Sequence, residues 1–573
     1  MQDPDFKRRL ASLYKEVQEF SAQYENSYLR SIGENPHITR LIEAFTFLHN
    51  KLHLTLEESQ SELVSSLINL MYPHLNQPIP SYMLVQLLPS KDQVKPIAVK
   101  KGTLICVEHQ LQKAKFQVTF DHEIVPLQIK DATYLALDRQ EFLDAKSCMQ
   151  LQINTSCGQK FSSLGLKQLR FYINKDDKTE YSVYEAIFEH LSRIVISDAT
   201  NSYTLSKNAV TKGGFGTHET LLPKQESVFP GYQLLTEFFF FPAKFLFFDL
   251  NLCEIESLAL ADSINITFLF HNTCLRELVS ASTILLNVIP TINLFTAESD
   301  PIEIIEGKRE YQVLVDKLHS KQTLIYKIDE VKIEMISGES VVALPLTERI
   351  TSNQVLWHAE YKKSAQGEFK DCYVSLISGA YEQHKYFYTS VQCFHGNAPY
   401  KIFATSQQKV HLSFQDEAIL VGSIVPVSNP TPVRQICSQM NQKLELLAHL
   451  SVHYLNILDA RNAKRVLQSL LSVYMQESIP RGSELLNSIN NVEVLEAVDK
   501  IKTKLGYCFC RGSLFRIYFE NTEQVPKGLL ILFCIVIDEF LAFYCPINSF
   551  IKFEGYHQKQ LMYQGSARQA KTC

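Results

Sequence analysis

The stretch Ser227-Val-Phe-Pro-Gly-Tyr-Gln-Leu-Leu-Thr-Glu-Phe-Phe-Phe-Phe-Pro-Ala-Lys-Phe-Leu-Phe-Phe-Asp-Leu250 sets the terms for the whole chain. Between Phe229 and Leu250 it places eight phenylalanines in 22 residues, interrupted by two prolines and two acids. A contiguous apolar surface of that size is an interface or an aggregation hazard when exposed. The segment is therefore either a core element between domains or a surface that another protein covers. From the residues alone, core and interface are equally open. Any that remain exposed, Phe238, Phe239, Phe240 and Phe241 first, are the candidates for contact with a partner.

Working outward, 573 residues exceed what a single core accommodates,. Hydrophobic residues make up 46% and charged residues 20%, the balance of a folded globular protein,. A formal charge of -5 argues against a dedicated nucleic-acid binder, which would carry a basic face,. The polar, acidic start MQDPDFKRRL has no secretory apolar stretch, and the longest apolar run, Gly528 to Ile537, is about half a membrane span,. That run reads as a buried strand or helix, and direct membrane insertion is not expected. The 13 cysteines are scattered without a CxxC pair, which fits reduced cytosolic thiols,.

Before residue 78 the pattern is helical. Phe6, Leu10, Leu13, Val17, Phe20 and Tyr24 recur with a 3.5-residue period, the seam of a coiled coil or bundle,. A second stripe runs from Ile38 to Leu52 and a third from Leu63 to Met71, ended by Pro73. These stripes bury themselves in a small bundle of the chain or in one shared with other proteins. From Tyr82 to about Val425, short β-branched and aromatic runs such as Tyr82–Leu88, Phe116–Phe120, Ile264–Phe270 and Thr323–Ile328 predict sandwiches or small barrels,. Lys212-Gly-Gly-Phe-Gly-Thr217 reads as a linker between two of them. Helical spacing returns after Pro432, in Leu444–Leu458, Ala463–Met475 and Val492–Ile501, followed by strands near Leu514–Phe519. The expected fold class is α+β and multidomain: an N-terminal helical segment (1–77), two central β-sandwich or barrel-like regions (78–211 and 212–428) and a mixed α/β C-terminal region (429–573).

The search for chemistry finds no GxxxxGK[ST], GxGxxG, HExxH or GxSxG,. His49 and His53 lie one helical turn apart, but no third ligand is near, and they read as surface or capping residues,. Asp121-His122-Glu123 reads as a turn, and Trp357 as a core anchor. No catalytic residue, metal ligand or cofactor site is expected.

Six collinear blocks carry a resemblance. They are Pro36-His-Ile-Thr-Arg-Leu-Ile-Glu-Ala-Phe-Thr-Phe-Leu48 running on through Leu63–His74 to Pro78-Ile-Pro-Ser81; Lys101-Gly-Thr-Leu104 with Phe116–Asp121 and Val125-Pro-Leu127; the Phe-rich stretch; Asn293-Leu-Phe295 with Asp300-Pro-Ile302; His449-Leu-Ser451; and Ile547-Asn-Ser-Phe550. In that order they resemble the TssF (VasA/ImpG) family of type VI secretion system baseplate subunits. The chain departs from the family pattern at Leu444, where a Trp is expected, and in the tail after Ile551.

The resemblance implies a structural, non-catalytic role. TssF-like proteins pair with TssG to form the baseplate wedge, as in contractile-tail phages, and TssK links that wedge to the membrane complex. A second copy of the chain, TssE and the spike protein VgrG are further implied partners. The implied place is the cytoplasmic side of a Gram-negative inner membrane. On this reading the seam of Phe6, Leu10, Leu13, Val17, Phe20 and Tyr24 would be lent to an intermolecular bundle, and Pro242 and Asp249 would bound a short buried strand or turn between two β domains, with most rings of the Phe-rich stretch in the core. The alternatives weighed from the residues are a multidomain β-rich hydrolase or carbohydrate-binding enzyme, recognisable by two carboxylates at hydrolytic separation, and a phage-tail adhesin.

Overall fold

The computed structural model describes residues 64 and 68 and, apart from short internal stretches, residues 77–435 and 462–569. The chain divides into two compact units, Gln77–Ile436 with His449–Cys573, and Met1–Asn76 with Cys437–Ala448. Of the expected N-terminal helices only Val64 and Ile68 fall among the described residues, and both are helical and buried. The seam from Phe6 to Tyr24, together with His49 and His53, lies outside them.

The larger unit is mostly β. The short β-branched runs become strands because alternate residues can bury on one face while the others stay polar. Tyr82–Leu88, Leu104–His109, Gln112–Val118, Val288–Ile292, His411–Phe414 and Ser423–Pro426 share a six-stranded sheet around Met83, Val85, Val107, Phe116 and Ile289. A larger sheet, in which Leu324–Met335 and His384–Phe394 are the longest strands, surrounds Tyr311, Val331, Val374, Phe387 and Val391. Its sequence lies between two strands of the six-stranded sheet, so it is an insertion into that sheet. A five-stranded antiparallel sheet is built on Ser147–Thr155 and Ser263–Phe270.

The four-stranded sheet that matters most places Phe247–Asn251 between Val210–Lys212 and Gln168–Ile173. The expected boundary between residues 211 and 212 therefore falls inside a strand. Asn287 marks the passage from this sheet, at Ile284–Leu286, into the six-stranded one. It adopts φ 58°, a left-handed conformation that asparagine tolerates,. Its side-chain amide fixes the turn, with Oδ1 accepting from the Val125 amide at 2.9 Å and Nδ2 donating to the Val125 carbonyl at 2.9 Å.

Between Gln77 and Arg568 the α-helices of the described residues are α1 (Thr179–Glu189), α2 (Pro230–Phe240), α3 (Ala398–Thr405), α4 (Ala463–Met475), α5 (Gly482–Asn487) and α6 (Lys527–Ala542). The Phe-rich stretch is thus a helix, a 3₁₀ turn (Pro242–Phe245) and a strand, where a strand or turn alone was expected. Pro230 opens α2 at a position that needs no N–H, and Pro242 stops it,. The apolar run resolves as α6, whose residues Gly528 to Ala542 are all buried. A helix apolar on every side is one enclosed by protein. Val492–Ile501, by contrast, is not helical but lies in the strand Ile489–Thr503, because pairing with Gly506–Phe519 overrides its spacing.

Gly528 shows how close the enclosure is: a Cβ there would lie 1.9 Å from the Tyr181 carbonyl oxygen of α1. Gly-to-Ala changes inside helices are normally favourable. Gly528→Ala is expected instead to lower stability by about 1–3 kcal/mol, the range for overpacking, read as a fall in denaturation midpoint. A midpoint equal to or above wild type would refute this packing.

Candidate functional site

The Phe-rich segment wraps a buried pair of opposite charges. Glu237, in the last turn of α2, and Lys244, in the 3₁₀ turn, meet through Oε2 and Nζ with side chains 1% and 2% exposed. Leaving either charge alone in that environment would cost several kcal/mol. The other oxygen of Glu237 accepts from the amides of Leu221 (2.8 Å) and Leu222 (3.3 Å), and Gln233 Nε2 donates to the Leu222 carbonyl at 2.8 Å. One carboxylate thus fixes three chain segments.

The sequence expected a linker at Lys212–Thr217, but this stretch packs against the same frame. The Gly213 amide donates to the Phe247 carbonyl at 3.0 Å. A Cβ on Gly213 would meet Phe247 Cβ at 2.6 Å, and one on Gly214, at φ +86°, would meet the Lys244 carbonyl oxygen at 2.4 Å. The paired glycines are there because no side chain fits between the two backbones.

A second ionic group lies on the neighbouring strand. Arg170 and Asp249 stand directly opposite in register, and the guanidinium donates two 2.7 Å hydrogen bonds to the carboxylate. Arg170 also pairs with Glu219 at 2.6 Å, while Glu219 accepts from the Gly216 amide at 2.8 Å. Burial opposes the Arg170 charge, but Asp249 and Glu219 more than offset it, and its pKa stands above the ordinary value. Burial likewise opposes the Glu219 charge, yet Arg170, the Gly216 amide and Lys244 hold its carboxyl below the ordinary value. Bidentate arginine–carboxylate contacts of this kind fix orientation as well as charge.

A third group closes the C-terminal end over α6. Asp538 receives Arg568 at 2.8 Å and the Tyr563 hydroxyl at 2.9 Å, and Glu539 receives Arg568 at 2.6 Å. Burial raises the Asp538 carboxyl, with Arg568 and Tyr563 opposing. Lys212 donates to the Tyr563 hydroxyl at 3.1 Å and so ties this group to the glycine-rich strand. Glu185, Glu189 and His190 offer three potential metal-ligand atoms within 4.8 Å of one another. Lys527 already lies 3.4 Å from Glu185 and 2.8 Å from Glu189, so this cluster serves as an ionic tie between α1 and α6.

Around these charges the rings interlock. Phe238 approaches Phe533 of α6 (6.0 Å between centroids), Phe239 stacks on Tyr474 of α4 (5.8 Å), and Phe241 lies against Tyr82 (5.2 Å). Phe238, Phe239 and Phe241 are buried, which corrects their expected exposure to a partner: their surfaces are already used by the chain itself. Phe240 alone of the four is half-buried. Asp121-His122-Glu123, expected as a turn, leads into the strand His122–Ile124, and Trp357 packs partly buried against the core of the large sheet. The sequence reading missed all three ionic groups, because their members are separated by up to hundreds of residues. Only Glu237 and Lys244, at i and i+7 in an otherwise apolar stretch, carried a local signal.

These groups pair with one another inside the fold as an ionic frame of a mostly β, multi-sheet chain. The family model for "Type VI secretion system, TssF" matches residues 3–564. The type VI secretion system component TssF1 of Pseudomonas aeruginosa is 22% identical over 584 residues, covering 93% of each chain. A chain from the cryo-electron microscopy structure of the type VI secretion system TssK-TssF-TssG baseplate subcomplex shares the fold with a TM-score of 0.78 and 21% identity, over 94% of this chain and 99% of that one. A chain from "The baseplate complex from the type VI secretion system" matches at a TM-score of 0.60 and 16% identity, over 99% of each. The protein belongs to the TssF family of type VI secretion system components.

Two outcomes follow from the frame. Lys244→Met should destabilise the fold by about 3–5 kcal/mol by stranding Glu237, and Glu237→Gln added to it should recover more than half of that loss. Chemical denaturation of both variants checks this, and a double variant no better than the single would refute the role of charge pairing. The second outcome concerns acid. Burial, then the nearby Arg170, pushes His122 down to about 3, and burial, then Lys115, pushes His395 down to about 4, from an ordinary 6.5. Below pH 6.5 the unfolded chain binds protons that the folded one refuses, so this stability is complete above that pH. It should then fall by about 1.4 kcal/mol per pH unit per histidine on acidification toward pH 4. Denaturation midpoints between pH 7 and 4 should show His395→Gln removing about half of this histidine slope; an unchanged slope would exclude His395 as a source.

Proposed function

We propose that this protein is a structural subunit of the type VI secretion baseplate wedge, holding a TssG-like and a TssK-like protein in place beneath the contractile tail. The family match along almost the whole chain is the observation that carries this reading. The fold likeness to a chain of a solved TssK-TssF-TssG subcomplex supports it, as does an interior whose charged clusters are matched to one another. Its role is non-catalytic. Further contacts with a second copy of the chain, TssE and VgrG complete the assembly, on the cytoplasmic face of the inner membrane. Among the described residues no helix is long and apolar enough to cross a membrane, which suits a subunit held there by its neighbours.

On this reading the heptad seam Phe6, Leu10, Leu13, Val17, Phe20 and Tyr24 is the helix lent to an intermolecular bundle, and half-buried Phe240 is an accessory contact,. Co-expression with the TssG-like and TssK-like proteins of the same organism should yield a stable complex, and Leu13→Asp should abolish it, since a charge in a packed seam costs several kcal/mol. A chain that ignores both partners in pull-downs would overturn the assignment. Unchanged co-purification of Leu13→Asp would overturn the role of the seam alone.

A further inference from the structure

Cys508 and Cys510 are the closest cysteines of the sequence, and in the strand Gly506–Phe519 their sulfurs lie 3.5 Å apart. Residues at i and i+2 of a strand share a face, so both thiols stand on one side of the hairpin and Phe509 on the other. The partner strand Ile489–Thr503 pairs with this one without a shift of register from Asn491 to Thr503. Asp499 lies directly opposite Cys510 and therefore shares the thiol face,. A third strand, Ile551–His557, joins only along Ser513–Phe519 and leaves the two cysteines beyond its reach.

Cys508 is exposed and Cys510 half-buried, whereas Cys148, Cys372, Cys393, Cys534 and Cys545 are buried. Burial pushes the Cys372 and Cys393 thiols up to about 12, where they stay protonated and inert,. Cys510 is raised for a different reason: the hydrogen bond with Cys508 comes first and burial second. The pair resists losing its second proton, since two thiolates so close would repel. A cation between the sulfurs removes that repulsion, and a coordinating thiol gives up its proton outright.

Such a pair can close as a disulfide or act as a chelate, and strand geometry separates the two. Along a strand, positions i and i+2 are about 6.4–6.8 Å apart, the outer limit of the Cα separations that a disulfide spans. Closing the sulfurs from 3.5 Å to the roughly 2.05 Å of a bond would draw two parallel side chains together,. It would also bend a strand whose pairing runs unbroken past them. Zinc asks for no such movement. With Zn–S bonds of about 2.3 Å at a tetrahedral angle, its two sulfurs stand about 3.8 Å apart. The thiols already lie close to that separation.

We propose that Cys508 and Cys510 together hold one soft divalent cation of the zinc class, through both sulfurs as thiolates. Soft thiolate ligands select such ions over magnesium or calcium. Asp499 adds a carboxylate on the same face. Its Oδ1 accepts from the Lys500 amide at 2.7 Å, and its Oδ2 lies 3.8 Å from Lys552, a contact loose enough to exchange for a cation. Water fills the remaining positions of the ion.

The test uses the full chain, reduced and freed of metal, titrated with Co(II) as a spectroscopic probe and with Zn(II) against a chromophoric chelator. Wild type should take up cobalt with a thiolate-to-metal charge-transfer band, and should bind zinc more tightly as pH rises, because binding displaces thiol protons. Cys508→Ser and Cys510→Ser should each lose the band and weaken zinc binding by roughly a hundredfold or more, since losing one arm removes the effective concentration of the other. Asp499→Asn should weaken it by roughly tenfold, as loss of a supporting carboxylate does; wild-type affinity there overturns the part given to Asp499. Cys253→Ser, at an exposed cysteine elsewhere, should change neither readout. Neither Cys508 nor Cys510 is buried, so thermal unfolding of the metal-free serine variants should match wild type. A wild-type chain without the band overturns the site. So do serine variants that keep the band and the affinity, which would place the cation on other thiols.

Discussion

The buried contact between Glu237 and Lys244 is the constraint from which the centre of this molecule is built. It joins the end of α2 to the turn that follows, so the chain must reverse there and enter the strand Phe247–Asn251 with its rings facing inward. The same carboxylate holds the amides of Leu221 and Leu222, and the same turn is approached so closely by Gly214 that no Cβ fits. A hydrophobic pair of equal volume could match or exceed the stability of this ion pair. It would not impose one arrangement on eight phenylalanines that could otherwise repack. What the two desolvated charges contribute is a single specified arrangement.

The neighbouring ionic groups extend that logic outward. Arg170 locks its strand to Asp249 in register and reaches Glu219 in the glycine-rich segment. Lys212, two residues along the chain from Gly214, reaches Tyr563, which in turn bonds Asp538 of α6. A continuous path of charged and hydrogen-bonded side chains therefore links the central sheet to the helix and the C-terminal strands. Fully satisfied networks of this kind rigidify a core and specify one arrangement of it.

Legibility in the sequence followed the range of the interactions involved. Tyr82–Leu88 and Ile264–Phe270 could be read as strands, because β-branched and aromatic alternation is a local property. Ala463–Met475 could be read as a helix for the same reason. The run Gly528–Ile537 announced burial but not its form, since a short apolar run has no period to betray it. Val492–Ile501 was misread because its long-range pairing with Gly506–Phe519 prevails over local spacing. The ionic frame was invisible in Arg170, Glu219, Asp249, Asp538 and Arg568 individually. Charges so far apart in sequence become partners only through the topology.

The Phe-rich segment also shows why hydrophobic density is a poor guide to an interface. Its rings are dense because they serve several elements of one fold at once: Phe238 faces α6, Phe239 faces α4, and Phe241 faces the strand of Tyr82. A surface that must recognise a partner has a different requirement. It must remain soluble until the partner arrives, which favours a few apolar side chains set among charges over a continuous aromatic sheet.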